Sequence, residues 1–257
     1  MQESYDIDGK RGLLGQWIAS QLKWKAHQGN SPHLCILTKH GIVETFDHAP
    51  WHGVGARVRT PKGELLAWTC WIDYRAYLPG HLAKHEDCTV ADLLACETEK
   101  SGRAKQTTEL LDRLKKLGHL DGKLPLLVGG DWNSPSHLDY GESTKHLHRG
   151  LVVPIPTSLA MKKVGLIDTF REVYPDPLKN PGVTWSPLYR TNKETGKAKP
   201  MDRIDRLYLR SDRLIPTAAT TFPEELEDEK IPQSDRKFPS DHGAVLTTLK
   251  WKAEDKD

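Results

Sequence analysis

The sequence predicts an α/β protein in which two packed sheets carry helices on their outer faces. Three observations lead there. Short apolar runs bounded by Gly, Pro and Asp/Asn recur along the chain, a few longer stretches place apolar residues at helical spacing, and neither repeats nor low-complexity tracts interrupt the alternation. A length of 257 residues suits one large domain with a substantial core, so residues 1–257 are expected to form a single unit.

The elements follow in chain order. Residues 12–24 place Leu13, Leu14, Trp17, Ile18 and Leu22 on one stripe of an amphipathic helix. Residues 33–47 and 56–72 read as short strands, with Pro61-Lys62-Gly63 a hairpin turn between two of them. Residues 101–118 form a second helix, whose stripe is Leu110, Leu111, Leu114 and Leu117 and whose stop is Gly118. Residues 123–130 are a buried strand and 158–174 a helix; 183–187, 203–210 and 244–251 are three further strands. The charged, proline-bounded segment 222–239 is a solvated loop.

Composition narrows the partners. A formal net charge of +2 and a sequence pI near 8.2 give no bulk field for a polyanion, so a nucleic acid would have to be bound locally. A mean hydropathy of −0.60 and the absence of an apolar stretch of about 20 residues exclude a membrane span. No charged-then-apolar leader opens the sequence. Four cysteines, at 35, 70, 88 and 96, form no CxxC pair, which argues against a zinc ribbon. Cys35 and Cys70 sit in apolar strands as core thiols, and Cys88 and Cys96 flank a short segment that a disulfide could close.

Three strand ends concentrate polar chemistry. After the aliphatic run 126–128 come two glycines, then Asp131 and Asn133, which point the same way if the chain stays extended, with Trp132 turned toward the core. In 203–210, Asp205 shares a face with Leu207 and Leu209, and an acid on an apolar face needs a partner. Ser240, Asp241 and His242 precede the last strand, and Gly243 allows a tight bend. Hard oxygen ligands suit Mg²⁺, and an imidazole backed by a carboxylate suits proton transfer. Taken alone, the Asp131/Asn133 stretch also reads as a turn that caps a sheet edge.

GGDWN (129–133), RIDRLYL (203–209) and PSDHGAV (239–245), with the helix start RAKQ (103–106) before the first of them, resemble the signatures of the endonuclease/exonuclease/phosphatase superfamily, the fold of DNase I. The resemblance covers essentially the whole chain. It implies a four-layer α-β-β-α sandwich of two mostly antiparallel sheets flanked by helices, and Mg²⁺- or Mn²⁺-dependent hydrolysis of a phosphoester by an activated water. Residue by residue, it implies Glu3 and Asp241 as metal ligands and Asp131 as the group that orients or deprotonates the water. Asn133 would donate to a non-bridging oxygen, and His242, oriented by Asp205, would bind the phosphate or transfer a proton.

The chain departs from that pattern in three places. The family strand carrying an early asparagine has no counterpart before Met1-Gln2-Glu3, so the resemblance implies a domain lacking its N-terminal strand, and any secretion signal with it. Where the family carries Asn-x-His, this chain has Thr69 and Trp71, which leaves Tyr74, Tyr77 or a metal-bound water to protonate the leaving oxygen. Arg206 replaces a family tyrosine, as a surface residue or a phosphate contact. The aromatic stretches around Tyr74, Tyr77 and Trp185 suit a base or an apolar head group, so the substrate class stays open among nucleic acid, lipid head group and small phosphate ester. A monomer is expected. A non-catalytic binding module on the same fold is the alternative that Trp71 and the missing asparagine support. Of the other histidines, His81, His85, His137, His146 and His148 are expected on the surface or in loops, His137 nearest the site.

Overall fold

The structure is a computed structural model, and it describes residues 1–6, 8–228, 230–238 and 240–252. In chain order the elements are α1 (Leu14–Leu22), β1 (Lys25–His27), β2 (Ile36–Thr38), β3 (Gly41–Asp47), β4 (Val54–Thr60), β5 (Gly63–Trp71), α2 (Leu78–Lys84), α3 (Val90–Thr98) and α4 (Arg103–Lys116). Then follow β6 (Leu126–Asp131), α5 (Pro156–Lys163), β7 (Ile167–Asp168), α6 (Thr169–Val173), β8 (Asp205–Arg210), β9 (Leu214–Phe222) and β10 (Ala244–Trp251). No helix among the described residues is long and apolar enough to cross a membrane.

Six strands form the central sheet in the order β3-β4-β5-β6-β8-β7, antiparallel except for the parallel pair β5-β6. The second layer consists of two antiparallel pairs, β1-β2 and β9-β10. β1 and β2 lie against β3, β4 and β5, and β10 against β8.

Alternation along the central strands decides which side chains reach which layer. Leu66, Trp68 and Cys70 of β5, Leu126 and Val128 of β6 and Tyr208 of β8 join Leu110, Leu111 and Leu114 of α4 in one buried cluster. Each leucine buried there contributes roughly 2 kcal/mol. The opposite faces of the same strands carry Thr69 and Trp71, Asp131, and Asp205 with Leu209. Gly130 allows the close approach of β5 and β6, since a Cβ there would lie 2.3 Å from the Cys70 carbonyl oxygen.

The α3–α4 side is fastened by a buried ion pair. Arg103, at the start of α4, donates from Nε to Glu97 Oε1 at 2.9 Å. Its two Nη atoms donate to the carbonyl oxygens of Asp73, Arg75, Ala76 and Cys96. Glu97 Oε2 accepts from Ser134 Oγ at 2.8 Å. The α3 helix that holds Glu97 begins with a capping box, Asp92 N donating to Thr89 Oγ1 and Thr89 N to Asp92 Oδ2.

Several expectations need correction. α1 forms, but its buried positions are Gly15 and Ala19, while Leu13, Trp17 and Leu22 of the predicted stripe are 38, 41 and 50 % exposed. The helix packs through its small residues, since a Cβ on Gly15 would come 2.5 Å from Cys35 Cβ. The single helix expected over 158–174 is broken at Gly165, whose φ of +78° ends α5 and lets β7 join the sheet before α6. The expected strand 183–187 reduces to isolated bridges of Trp185 with Asp202 and His242. β9 was not anticipated, because its Thr- and Ala-rich sequence with Pro216 lacks a strand's alternation. All four cysteines are free, so Cys88 and Cys96 form no disulfide; Cys96 is buried among Leu78, Leu82 and Leu93. Segment 222–239 is a loop beyond the end of β9 with one 3₁₀ turn at Gln233–Asp235; its Glu229 and Pro239, the latter also the first residue of PSDHGAV, lie outside the described residues.

Candidate active site

The pairing of three central strands brings the first groups together. In the β5–β6 register Trp71 stands beside Asp131, and in the β6–β8 register Asp131 stands opposite Asp205. Two acids opposite one another on one sheet face repel, so they need a cation. His242 supplies it. Its Nδ1 lies 2.9 Å from Asp205 Oδ2, and its Nε2 is 4.0 Å from Asp131 Oδ2. Burial opposes the charged imidazole, but the carboxylates of Asp205, Asp131 and Asp241 raise its pKa to about 10. Burial, and then the charge of Asp205, push the Asp131 carboxyl well above the usual range.

The segment 184–186 seats these groups, although the sequence singled out only Trp185. Thr184 Oγ1 accepts from the amides of Ile204 and Asp205 at 3.0 Å, and Thr184 O accepts from Gly243 N at 2.6 Å. Ser186 Oγ donates to Asp241 O at 2.7 Å, and the Trp185 ring lies 4.6 Å from that of His242. One short segment therefore ties the start of β8 to the 241–243 turn.

Glu3 arrives from the other side. Gln2 Nε2 donates to Thr69 Oγ1 at 2.6 Å, and Ser4 N donates to His33 O at 3.0 Å, which lays the first residues across β5. Glu3 N donates to His33 Nδ1 at 3.2 Å, while the other ring nitrogen, Nε2, lies 3.2 Å from Trp51 O. Those partners fix a neutral His33, whose pKa burial lowers to about 4. Glu3, Asp241 and His242 have ligand atoms within 4.8 Å of one another, as do Asp131, Asp205 and His242.

A divalent cation fits this donor set. The carboxylates of Glu3, Asp131, Asp205 and Asp241 converge on two adjoining clefts, of about 480 and 520 Å³, whose lining includes no lysine or arginine among the described residues. His242 is committed through Nδ1 to Asp205, so Glu3 and Asp241 are the oxygens free for a hard cation.

The remaining sequence candidates divide. Asn133, at φ +44°, donates from its backbone N to Asp131 Oδ1 at 2.8 Å. Its Nδ2 donates to Asp131 Oδ2 and to Ile72 O, both at 2.9 Å. Both amide hydrogens are thus taken, and Asn133 holds Asp131 in place where the sequence reading had it donating to the phosphate. Tyr74, Tyr77 and Trp185 line the larger cleft, but the Tyr77 hydroxyl donates to Asp202 Oδ2 at 3.1 Å and has no proton to spare.

Arg206 is corrected outright. It projects to the helical side, 2 % exposed, with Nε on the Tyr208 hydroxyl and Nη1 on the carbonyl oxygens of Ser134 and Arg203. Alternation along β8 puts it opposite Asp205, away from both clefts. His137 likewise faces elsewhere, its Nδ1 2.9 Å from Ser158 Oγ, in a separate cleft of about 310 Å³ beside Tyr208. The sequence reading missed Tyr5, His33 and Trp51, which carry no motif and meet the site only through tertiary packing.

No protein-family model matches the chain. A Caenorhabditis elegans protein named "Uncharacterized protein F14F9.5" is 31 % identical over 231 residues, spanning 87 % of this chain and 73 % of its own length. Among solved structures, D. rerio TDP2 complexed with a single-strand DNA product superposes with a TM-score of 0.55 at 16 % identity, over 97 % of this chain and 84 % of that one. The 3′ phosphatase NExo from Neisseria, bound to a product DNA hairpin, gives 0.55 at 17 % identity over 97 % and 87 %. An AP endonuclease from Archaeoglobus fulgidus gives 0.54 at 14 % identity over 96 % and 86 %. The chain has the DNase I-like fold. That sandwich is what gathers GGDWN, RIDRLYL and the SDHG turn, some 110 residues apart at the extremes, on one sheet face.

Proposed function

We propose that this chain is a member of the endonuclease/exonuclease/phosphatase superfamily and hydrolyses a phosphoester with the help of Mg²⁺ or Mn²⁺. The observation that supports it best is His242 standing between Asp205 and Asp131 beside the Glu3–Asp241 oxygens. Bound by Glu3 and Asp241, a divalent cation would neutralise phosphoryl charge as a Lewis acid. Asp131, aimed by the two Asn133 contacts, takes a proton from the attacking water. His242, held by Asp205, presents Nε2–H to a phosphoryl oxygen. With Tyr77 committed to Asp202, Tyr74 or a water at the cleft mouth remains to protonate the leaving oxygen.

The test is Asp131→Asn on any phosphodiester the parent cleaves, beginning with bis-p-nitrophenyl phosphate. A general base is worth on the order of 10² to 10⁴ in kcat, and His242→Ala falls in the same range. The double variant loses far less than the product of the two, because both act in one unit. A rate for Asp131→Asn within a few-fold of the parent rejects the assignment. A parent that binds a phosphodiester but cleaves none, with Mg²⁺ present, supports the binding-module alternative.

A further inference from the structure

Asp202 is an acid that the proposed hydrolysis leaves unused. It is 9 % exposed, and the groups that act on it besides burial are Tyr140, Tyr77 and Asp139, none of them a cation. Its neighbour Arg203 is turned to Asp139 and Asp168. A buried carboxyl without a counter-charge holds a proton more tightly than an exposed one, and burial lifts this one to a pKa of about 6.

Two tyrosines close the carboxyl off. The Tyr77 hydroxyl donates to Oδ2 and the Tyr140 hydroxyl to Oδ1, each at 3.1 Å. Behind Tyr140 stacks His148 at 3.6 Å, an imidazole that burial keeps below its usual pKa. The backbone is pinned as well: Asp202 N donates to Trp185 O at 2.9 Å, and Asp202 O accepts from the amides of Thr184 and Trp185 at 3.0 and 2.9 Å.

Counting hydrogens separates two states. With Asp202 ionised, both hydroxyl hydrogens point at the carboxylate and Tyr77 has none to give. With Asp202 protonated on Oδ2, that oxygen donates to Tyr77 Oη, and the tyrosine's own hydrogen has to turn elsewhere. The open side is the larger cleft, which Tyr77 lines together with Asp131, Asp241 and His242. The charge of Asp131 already reaches that hydroxyl. Protonation on Oδ1 is the poorer choice, because it would release the hydrogen of Tyr140, a residue only 2 % exposed. Tyr77 by itself is a weak donor, since burial and then Asp202 hold its pKa well above the usual tyrosine value. A proton it gives has to be replaced at once.

We propose that Asp202 supplies the proton for the leaving oxygen through the Tyr77 hydroxyl. As the bond between phosphorus and the leaving oxygen breaks, its electron pair stays on that oxygen, which takes the Tyr77 hydrogen while Tyr77 Oη takes the Asp202 proton. Asp202 ends ionised and is recharged from solvent, and the proton that Asp131 took from the attacking water returns there. Tyr77 is then the catalytic acid and Asp202 the positioning residue behind it. The relay rests on the hydrolase reading; the protonation of Asp202 does not.

Two esters test it. Methyl p-nitrophenyl phosphate releases a nitrophenolate that departs without a proton, and methyl benzyl phosphate releases an alkoxide that needs one. Asp202→Asn keeps the shape but carries no acidic proton, and Tyr77→Phe removes the hydroxyl. In each, the ratio of kcat on the benzyl ester to kcat on the nitrophenyl ester is expected to fall at least about 100-fold, and in the double variant no further than in either alone. In the parent the same ratio declines as pH rises above about 6, a decline absent from Asp202→Asn. An unchanged ratio in either variant, or a parent that cleaves the nitrophenyl ester alone, refutes the relay and leaves hydrolysis standing. The infrared carbonyl band of a neutral carboxyl, compared between parent and Asp202→Asn, reads the acid without catalysis. It is expected in the parent at about pH 5 and gone by about pH 8, and a parent that lacks it at the lower pH overturns the relay whatever the activity. Cleavage of neither ester with Mg²⁺ present, with that band in place, refutes the hydrolase reading and the relay with it, while the titration of Asp202 stands.

Discussion

Arg103→Ala tests how the active-site loops are held. Its guanidinium makes five hydrogen bonds, one to Glu97 and four to backbone carbonyl oxygens of Asp73, Arg75, Ala76 and Cys96. That uses the donor capacity of an arginine in full. Both side chains of the pair are 0 % exposed. Truncation leaves Glu97 buried without its counter-charge, with Ser134 Oγ as its remaining side-chain partner, and takes the guanidinium donors from four carbonyls, of which Cys96 O keeps Ser101 Oγ at 2.7 Å. Breaking a buried pair from one side costs about 3–5 kcal/mol. At about 2–4 °C per kcal/mol for a chain of this size, the melting midpoint falls by roughly 6–20 °C. Arg103→Met combined with Glu97→Leu removes the uncompensated acid and recovers that part of the loss, while the carbonyl oxygens of Asp73, Arg75 and Ala76 still lack their donors. The assay is a thermal melt with a urea titration beside it. A single variant within about 1 kcal/mol of the parent, or a double variant worse than Arg103→Ala, refutes the reasoning.

Three further outcomes are expected. Glu3→Gln and Asp241→Asn should each weaken Mn²⁺ binding at least tenfold by calorimetry, and EDTA should abolish hydrolysis; unchanged affinity in either variant removes that residue from the ligand set. Arg206→Leu should lower stability by about 1–3 kcal/mol through its orphaned carbonyl partners while leaving KM alone, because the guanidinium lies inside the fold; a raised KM with an unchanged melt would contradict the burial. Asp202 is held by burial at a pKa of about 6 against an ordinary 3.8, its two tyrosine donors opposing the shift. A folded-state pKa above the unfolded one favours the protonated acid in the fold. The parent should therefore lose stability relative to Asp202→Asn as pH rises from about 4 to 6, by up to roughly 3 kcal/mol, and a gap independent of pH would show that Asp202 does not titrate there.

The site was legible where chemistry is written in local sequence. Asp131, Asp205, Asp241 and His242 stand at strand ends and in turns, and the structure brings them together as expected. The α4 stripe was legible because Leu110, Leu111 and Leu114 repeat at helical spacing over one packed face. The roles of Asn133 and Arg206 were not, because both depend on which hydrogens are already spent. Asn133 gives its two to Ile72 and Asp131, and Arg206 turns inward by the alternation of β8. α1 misled because an apolar stripe predicts burial only when nothing smaller fits closer, and Gly15 and Ala19 do. The aromatic wall of the larger cleft was legible only in part: Tyr74, Tyr77 and Trp185 stand in aromatic stretches, while Tyr5 and Trp51 come from separate segments that carry no motif.

Gly130 bears on how such a protein tolerates change. It has no side chain, touches no substrate and titrates nothing, yet it sets the spacing between β5 and β6 just before the strand end that carries Asp131. An alanine there must push against the carbonyl of Cys70, one residue before Trp71, and the neighbouring strand must give way. The displacement would reach Asp131 on one strand and the aromatic wall on the other in the same step. In a library of random variants, position 130 should therefore behave as intolerantly as Asp131, and a screen that scores lost activity alone would count it among the reactive residues.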